Sequence, residues 1–149
     1  MHITKVDNKD KLKFKDLLLL ADEQMSMVEK YLYRGEMFAL YDDDLKSICI
    51  VTYEENGTYE IKNIATVAKY QRKGYGKYLI RFIFNHYKGI GKILYVGTGD
   101  SPSTLNFYQN CGFYRSHVVK NFFIDNYDHP IYENGKRLTD MIYLKKELQ

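Results

Sequence analysis

Apolar and polar positions along the chain change period several times, and each change marks an element. Ile3 to Val6 reads as a short opening strand, with Asp7-Asn8 as a helix cap behind it. Leu12, Phe14, Leu17, Leu18, Leu20 and Ala21 then give a broad apolar face. Met25, Val28, Tyr31 and Leu32 continue it toward a stop at Gly35, which predicts one bent helix or two short ones. From Glu36 the period is that of a strand: Met37, Ala39 and Tyr41 alternate up to Asp42-Asp43-Asp44, and Ile48 to Tyr53 run on to Asn56-Gly57, a hairpin signal. Tyr59 to Val67 is the returning strand. Helical spacing resumes at Tyr75, Leu79, Phe82, Ile83 and His86, predicting a helix from Gly74 to Tyr87 that Gly89 and Gly91 end. Lys92 to Val96 reads as a strand and Gly97 to Asp100 as a loop. Ser101-Pro102 opens a short helix that closes at Cys111-Gly112. Phe113 to Ile124 and Leu138 to Leu144 read as two more strands, separated by the loop Asp125 to Gly135, where Asn134-Gly135 repeats the hairpin signal. This order predicts one α/β domain over residues 1–149, with a mixed, largely antiparallel sheet.

Composition narrows the class without naming a function. Apolar residues make up 45% and charged residues 28% of 149 residues, which suits a globular chain with its own core and argues against disorder. A formal charge of +3 is too small for a nucleic-acid scaffold, yet it does not repel an anionic ligand. The longest apolar run, Leu17 to Ala21, is far short of the roughly 20 residues of a membrane span. Cys49 and Cys111 fall in a strand and beside a turn and do not look like disulfide halves, so a cytoplasmic location with reduced thiols is expected. The histidines, His2, His86, His117 and His129, lack metal spacing, and the Asp42 to Asp44 run reads as a solvated turn, so no metal is expected.

The informative stretch is Gln71-Arg72-Lys73-Gly74-Tyr75-Gly76-Lys77, which joins a strand to a helix. Two glycines free the backbone to turn its amides outward, and the helix start adds about half a positive charge. Arg72, Lys73 and Lys77 add full charges. Such a nest suits a pyrophosphate. A dinucleotide fingerprint would need a third glycine where Leu79 stands, and the Gly-Lys-Ser/Thr of a P-loop is absent.

Gln-x-x-Gly-x-Gly resembles the pyrophosphate motif of the GNAT superfamily of N-acetyltransferases, and the resemblance extends over nearly the whole chain. The strand Ile61 to Thr66 looks like the family's cofactor-lining strand, Lys92 to Val96 like its splayed parallel neighbour, and Asn106 to Phe113 like its closing Phe-Tyr-x-x-x-Gly-Phe signature. The resemblance implies a GNAT-like fold, with a mixed, mostly antiparallel sheet of six to seven strands and about four helices. It also implies acetyl-CoA as co-substrate. Backbone contacts would fall to Ala65, Thr66 and Val67, and phosphate contacts to Gln71, Arg72, Lys73, Gly74, Tyr75, Gly76 and Lys77. Thr66 and Ala68 stand where many members have valine and proline. Ser101 stands where many have a cofactor-binding asparagine, and its hydroxyl would supply part of that contact or cap the helix.

Acetyl transfer to nitrogen needs a neutral amine, a held oxyanion and a proton for the departing thiolate. An amine of pKa near 10.4 is neutral in about one molecule in 2,500 at neutral pH, which sets roughly 4 to 5 kcal/mol for a base to recover. Glu60 is the candidate base, at the spacing before Gly74 that some lysine-acetylating members use. Strand alternation puts Lys62 on its face, and Asn63 or a water is the alternative. Tyr108, the tyrosine of the signature, is the expected acid, and a strand N–H near Ala65 would hold the oxyanion. The function implied is N-acetyl transfer from acetyl-CoA to a primary amine of a small molecule or peptide, in a ternary complex. The rival is a non-catalytic acyl-CoA-binding module of the same fold. No nucleic-acid or membrane partner is expected, and a homodimer stays open beside a monomer.

Overall fold

The computed structural model describes residues 1–149, and its elements follow the chain as a hairpin-built sheet with helices laid on both faces. Strand β1 is His2–Val6 and is followed by a 3-10 helix, Asn8–Phe14; α1 is Lys15–Ala21 and α2 is Met25–Val28. Then come β2 (Glu36–Asp42), β3 (Asp44–Tyr53), β4 (Thr58–Thr66), α3 (Tyr75–Tyr87), β5 (Ile93–Gly99) and α4 (Pro102–Asn110). The last part holds β6 (Tyr114–Val119), α5 (Phe122–Asn126), β7 (Tyr132–Glu133), β8 (Lys136–Arg137) and β9 (Met141–Glu147). The main sheet has seven strands in the order β1-β2-β3-β4-β5-β9-β6, and β7 pairs with β8 alone.

The apolar face predicted for residues 12–35 is split into short helices. The chain leaves the helical region at Asp22 (φ −142°, ψ 97°). Two acidic residues, Asp22 and Glu23, at the negative end of α1 disfavour continuing it. The segment ends at Gly35, where a Cβ would stand 2.5 Å from Ile50 Cγ2. Buried Lys11 donates to the carbonyls of Leu32 (2.8 Å) and Gly35 (2.6 Å), satisfying groups that the helical segment leaves open.

The β3–β4 turn puts Asn56 and Gly57 at φ 51° and 78°, as an Asn-Gly hairpin requires. Two other expectations are corrected. Gly97, Thr98 and Gly99 continue β5 and pair with Tyr143, Ile142 and Met141, where a loop was expected. The glycines serve close approach: a Cβ at Gly97 would lie 2.5 Å from Met141 Sδ, and one at Gly99 2.5 Å from Leu138 Cδ1. The strand expected to run to Ile124 stops at Val119, because Asn121 turns left-handed (φ 58°) and opens α5. Residues 120–140 thus form a strap of helix and small hairpin, with Phe123, Ile131 and Leu138 buried together beneath it.

The sheet separates two cores. Leu79, Ile80 and Ile83 of α3 pack with Leu105 and Tyr108 of α4 against Ile61, Leu94 and Leu144 on one face. Leu18, Val28 and Leu32 pack with Met37, Ile48 and Ala65 on the other. Strands β4 and β5 are parallel and pair only from Thr58↔Ile93 to Ile61↔Val96. Beyond Ile61 they part, and β4 keeps only β3 as its neighbour.

Candidate active site

The opening begins where β4 loses β5, since the backbone groups of β4 on that side have no strand to pair with. The Val67 N–H donates to the Lys46 carbonyl on β3 (2.9 Å), and strand alternation turns the Ala65 N–H the same way. The edge facing the gap therefore belongs to Ile64 and Thr66. This corrects the expectation that Ala65 and Val67 offer free backbone groups there. Gln71 Nε2 donates to the Thr66 carbonyl (3.2 Å) and so ties the following loop to that edge.

The loop turns as a nest. Arg72 and Gly74 have φ 61° and 89°, and no side chain caps the start of α3. The first amides of α3 are thereby left to face outward, as the helix geometry dictates. A Cβ at Gly76 would meet Phe107 Cζ at 3.3 Å, so the glycine lets α3 start against α4. The Asp42 to Asp44 turn, expected to be merely solvated, anchors this loop. Tyr75 donates to Asp42 (2.9 Å) and Tyr70 to Asp44 (2.6 Å). Lys46 pairs with Asp44 and sits 3.4 Å from the centre of the Tyr70 ring. Lys46 and then Tyr70 hold the Asp44 carboxyl down to about 2. Sequence reasoning missed these anchors because they join side chains far apart along the chain.

A cleft of about 670 Å³ runs along the nest and is lined by Ala65, Thr66, Gln71, Arg72, Gly74, Tyr75, Gly76 and Lys77. Ser103 and Thr104, in the first turn of α4, line it as well. Val67, Lys73 and Ser101 do not. Ser101 occupies the N-cap position and is buried, but its hydroxyl makes no cap hydrogen bond and lies 3.4 Å from Ser103 Oγ. The expected cap is therefore corrected.

Behind the cleft lies a second cavity of about 550 Å³, between the segment from Leu20 to Arg34, strand β4 and the strap. Leu20, Ala21, Ile64, Thr104 and Tyr108 line both spaces. Tyr108 is 7% exposed, and burial raises its phenol well above the ordinary range. It therefore holds its proton at neutral pH.

Glu60 is 9% exposed on the cavity wall. Its Oε2 accepts from the Tyr143 hydroxyl (3.1 Å) and from Lys62 Nζ (3.0 Å). The pairing of β3 with β4 slips between Ile50↔Asn63 and Val51↔Ile61, leaving Lys62 as a bulged residue. The extra residue brings Asn63 onto the wall that carries Glu60, although they stand three apart. Asn63 Nδ2 donates to the Leu18 carbonyl (3.1 Å) and to the Tyr31 hydroxyl (3.0 Å). Tyr31 donates to Asp22 Oδ2 (2.9 Å), and Tyr127 of the strap donates to Asp22 Oδ1 (2.7 Å). Asp22, Tyr31 and Tyr127 were not identified from the sequence; Asp22 was read only as part of a helical stretch.

No helix is long and apolar enough to cross a membrane. Residues 34–115 match the family model described as acetyltransferase (GNAT) domain. An uncharacterized N-acetyltransferase of Bacillus subtilis, YvbK, is 38% identical over 136 residues, which cover 89% of this chain and 88% of that one. A GNAT family acetyltransferase from Elizabethkingia anophelis, solved with acetyl-CoA bound, superposes with a TM-score of 0.91 at 37% identity over 98% and 97% of the two chains. A Bacillus subtilis acetyltransferase solved in complex with CoA superposes at 0.90, with 34% identity over 99% of each chain.

Proposed function

This chain belongs to the GNAT family of acetyltransferases, and from that premise we propose that it acetylates a primary amine of a small molecule or peptide by direct attack in a ternary complex. The observation that carries the reading is Tyr108, which stands in the wall common to the cleft and the cavity. A thioester laid along the cleft and an amine in the cavity would meet at its hydroxyl.

In this reading the uncapped amides opening α3, with Gln71, Arg72 and Lys77, receive the pyrophosphate of acetyl-CoA, as its anionic charge and their geometry require. The Ile64 and Thr66 edge of β4 pairs with the pantetheine arm in place of the missing strand. Glu60 takes the proton of the attacking amine, directly or through a water, with Oε2 held by Lys62 and Tyr143. The nitrogen bonds to the thioester carbon, and an N–H of the β4 edge stabilises the oxyanion that forms. When the C–S bond breaks, Tyr108 gives its proton to the sulfur. Bringing both reactants into one space supplies much of the remaining rate.

The test is thiol release from acetyl-CoA over a panel of amines. Turnover that falls about 10- to 100-fold in Tyr108→Phe, with the KM for acetyl-CoA little changed, supports the assignment. Tight CoA binding with no turnover of any amine overturns it in favour of a binding module.

A further inference from the structure

The cavity behind Tyr108 contains a carboxylate with no cation beside it. Asp22 is half-buried, and its partners are the hydroxyls of Tyr31 and Tyr127 and the backbone N–H of Gln24. The other charges on the cavity wall are engaged elsewhere or reach solvent. Glu60 pairs with Lys62, Glu23 with His129, and Arg34 with Glu54; Glu133 accepts from the Thr104 hydroxyl (2.7 Å), and Lys30 is exposed. Burial raises the Asp22 carboxyl, and neighbouring Glu23 pushes it further the same way. A cation arriving there would recover the cost of holding that charge out of water.

The groups around Asp22 point in one direction. An ionised carboxylate only accepts, so both phenols must donate to it. The Tyr31 oxygen then accepts from Asn63 Nδ2, whose other hydrogen goes to the Leu18 carbonyl. Reversing the amide would set its oxygen against that carbonyl, so its orientation is fixed. Asn63 is 4% exposed, and its Oδ1 has no hydrogen-bond partner. Along the whole chain from Tyr127 to Asn63 each donor is spent inward, and the groups left over are acceptors. Such a wall suits N–H donors and positive charge, and it disfavours carboxylates.

We propose that Asp22, braced by Tyr31 and Tyr127 with Asn63 behind, is a cation subsite that holds a second, positively charged nitrogen of the acceptor while a different amine reaches Tyr108. The assignment rests on the amine-acceptor reading above and narrows it to acceptors with two basic nitrogens, such as diamines. The held nitrogen is not the one acetylated. Pairing with a carboxylate favours the ammonium form, whereas attack on the thioester needs the neutral amine. Glu60 and Tyr108 line the same cavity and serve the reacting nitrogen.

The experiment compares kcat/KM for a homologous series of α,ω-diaminoalkanes with n-alkylamines of matching length, using the full chain and acetyl-CoA. We expect the diamines to be preferred at one optimal length. In Asp22→Asn, which keeps the shape of the side chain, the ratio of diamine to monoamine kcat/KM should fall about tenfold or more. In Tyr127→Phe it should fall less, and the KM for acetyl-CoA should hold in both variants. Diamines and monoamines used equally well, or a ratio unmoved by Asp22→Asn, would sink the subsite and leave N-acetylation standing. Absence of turnover with every amine overturns both.

Discussion

At Tyr108 burial suppresses the acidity of the phenol and keeps it protonated, so that in the proposed reaction it has a hydrogen to offer the departing sulfur. A thiolate is a weaker base than a phenolate, so that help is partial, and Tyr108→Phe should slow the reaction and not abolish it. Tyr108 was singled out because it sits in a sequence signature, and it lines both the cleft and the cavity. Glu60 was singled out by the spacing to Gly74 that the family resemblance supplied; strand alternation put Lys62 on its face, and the ion pair between them follows that alternation. Asn63 was named beside Glu60, but that the two share a wall was hidden by the bulge at Lys62, since period-two reasoning places them on opposite faces. The same parity rule, once Val67 is seen bonded to β3, moves the free backbone edge from Ala65 to Ile64 and Thr66. Gly74 gives a further check. Its φ of 89° leaves room for a Cβ, with nothing within 4 Å, yet the conformation strains any L-residue. Gly74→Ala should therefore lower stability by about 1 kcal/mol in urea denaturation.

Among the elements, the loop before α3 and the strap are both held by side chains from distant turns. The turn between β2 and β3 fixes the loop through Tyr70, Tyr75 and Lys46. Replacing Asp44 by Asn removes the charge that Lys46 and Tyr70 share. It should weaken CoA binding several-fold by calorimetry. The strap is tied to the α1–α2 turn by Tyr127 on Asp22, by the Asp128 N–H on Gln24 (2.9 Å) and by His129 between Asp128 (2.6 Å) and Glu23 (2.9 Å). Asp128 first, then Glu23, raise the imidazole above its ordinary 6.5. A raised histidine stabilises the fold fully below the unfolded value and loses that contribution as pH climbs through the folded one. The melting-temperature gap between wild type and His129→Gln should therefore be widest below pH 6.5 and close on the alkaline side. The sequence read this region as a plain loop between strands because Asn121, whose left-handed turn ends the strand pattern, carries no strong signal of its own.

For the molecule as a whole, the order of strands and helices could be read from periodicity, and the hairpins from their Asn-Gly turns. The divergence of β4 from β5 could not be read from the residues themselves, because it is a relation between strands and leaves no periodicity; the family resemblance alone implied it. A ligand that fills the gap binds only the folded chain. CoA at about 100 times its Kd should raise the unfolding free energy by about 2.7 kcal/mol, a rise of roughly 5 to 10 °C in Tm by differential scanning fluorimetry. No rise would remove the cleft from consideration as a coenzyme site.

The two spaces draw on different stretches of the chain. Apart from Leu20 and Ala21, the cleft is lined from residues 64 to 111, inside the stretch that matches the family model. Much of the cavity wall comes from residues 20 to 31 and 122 to 143, outside it. On the proposed reading, amino-acid replacement in those flanks retunes which amine is welcomed and leaves the coenzyme cleft as it stands. Selectivity and coenzyme use would then be separately heritable parts of one small enzyme.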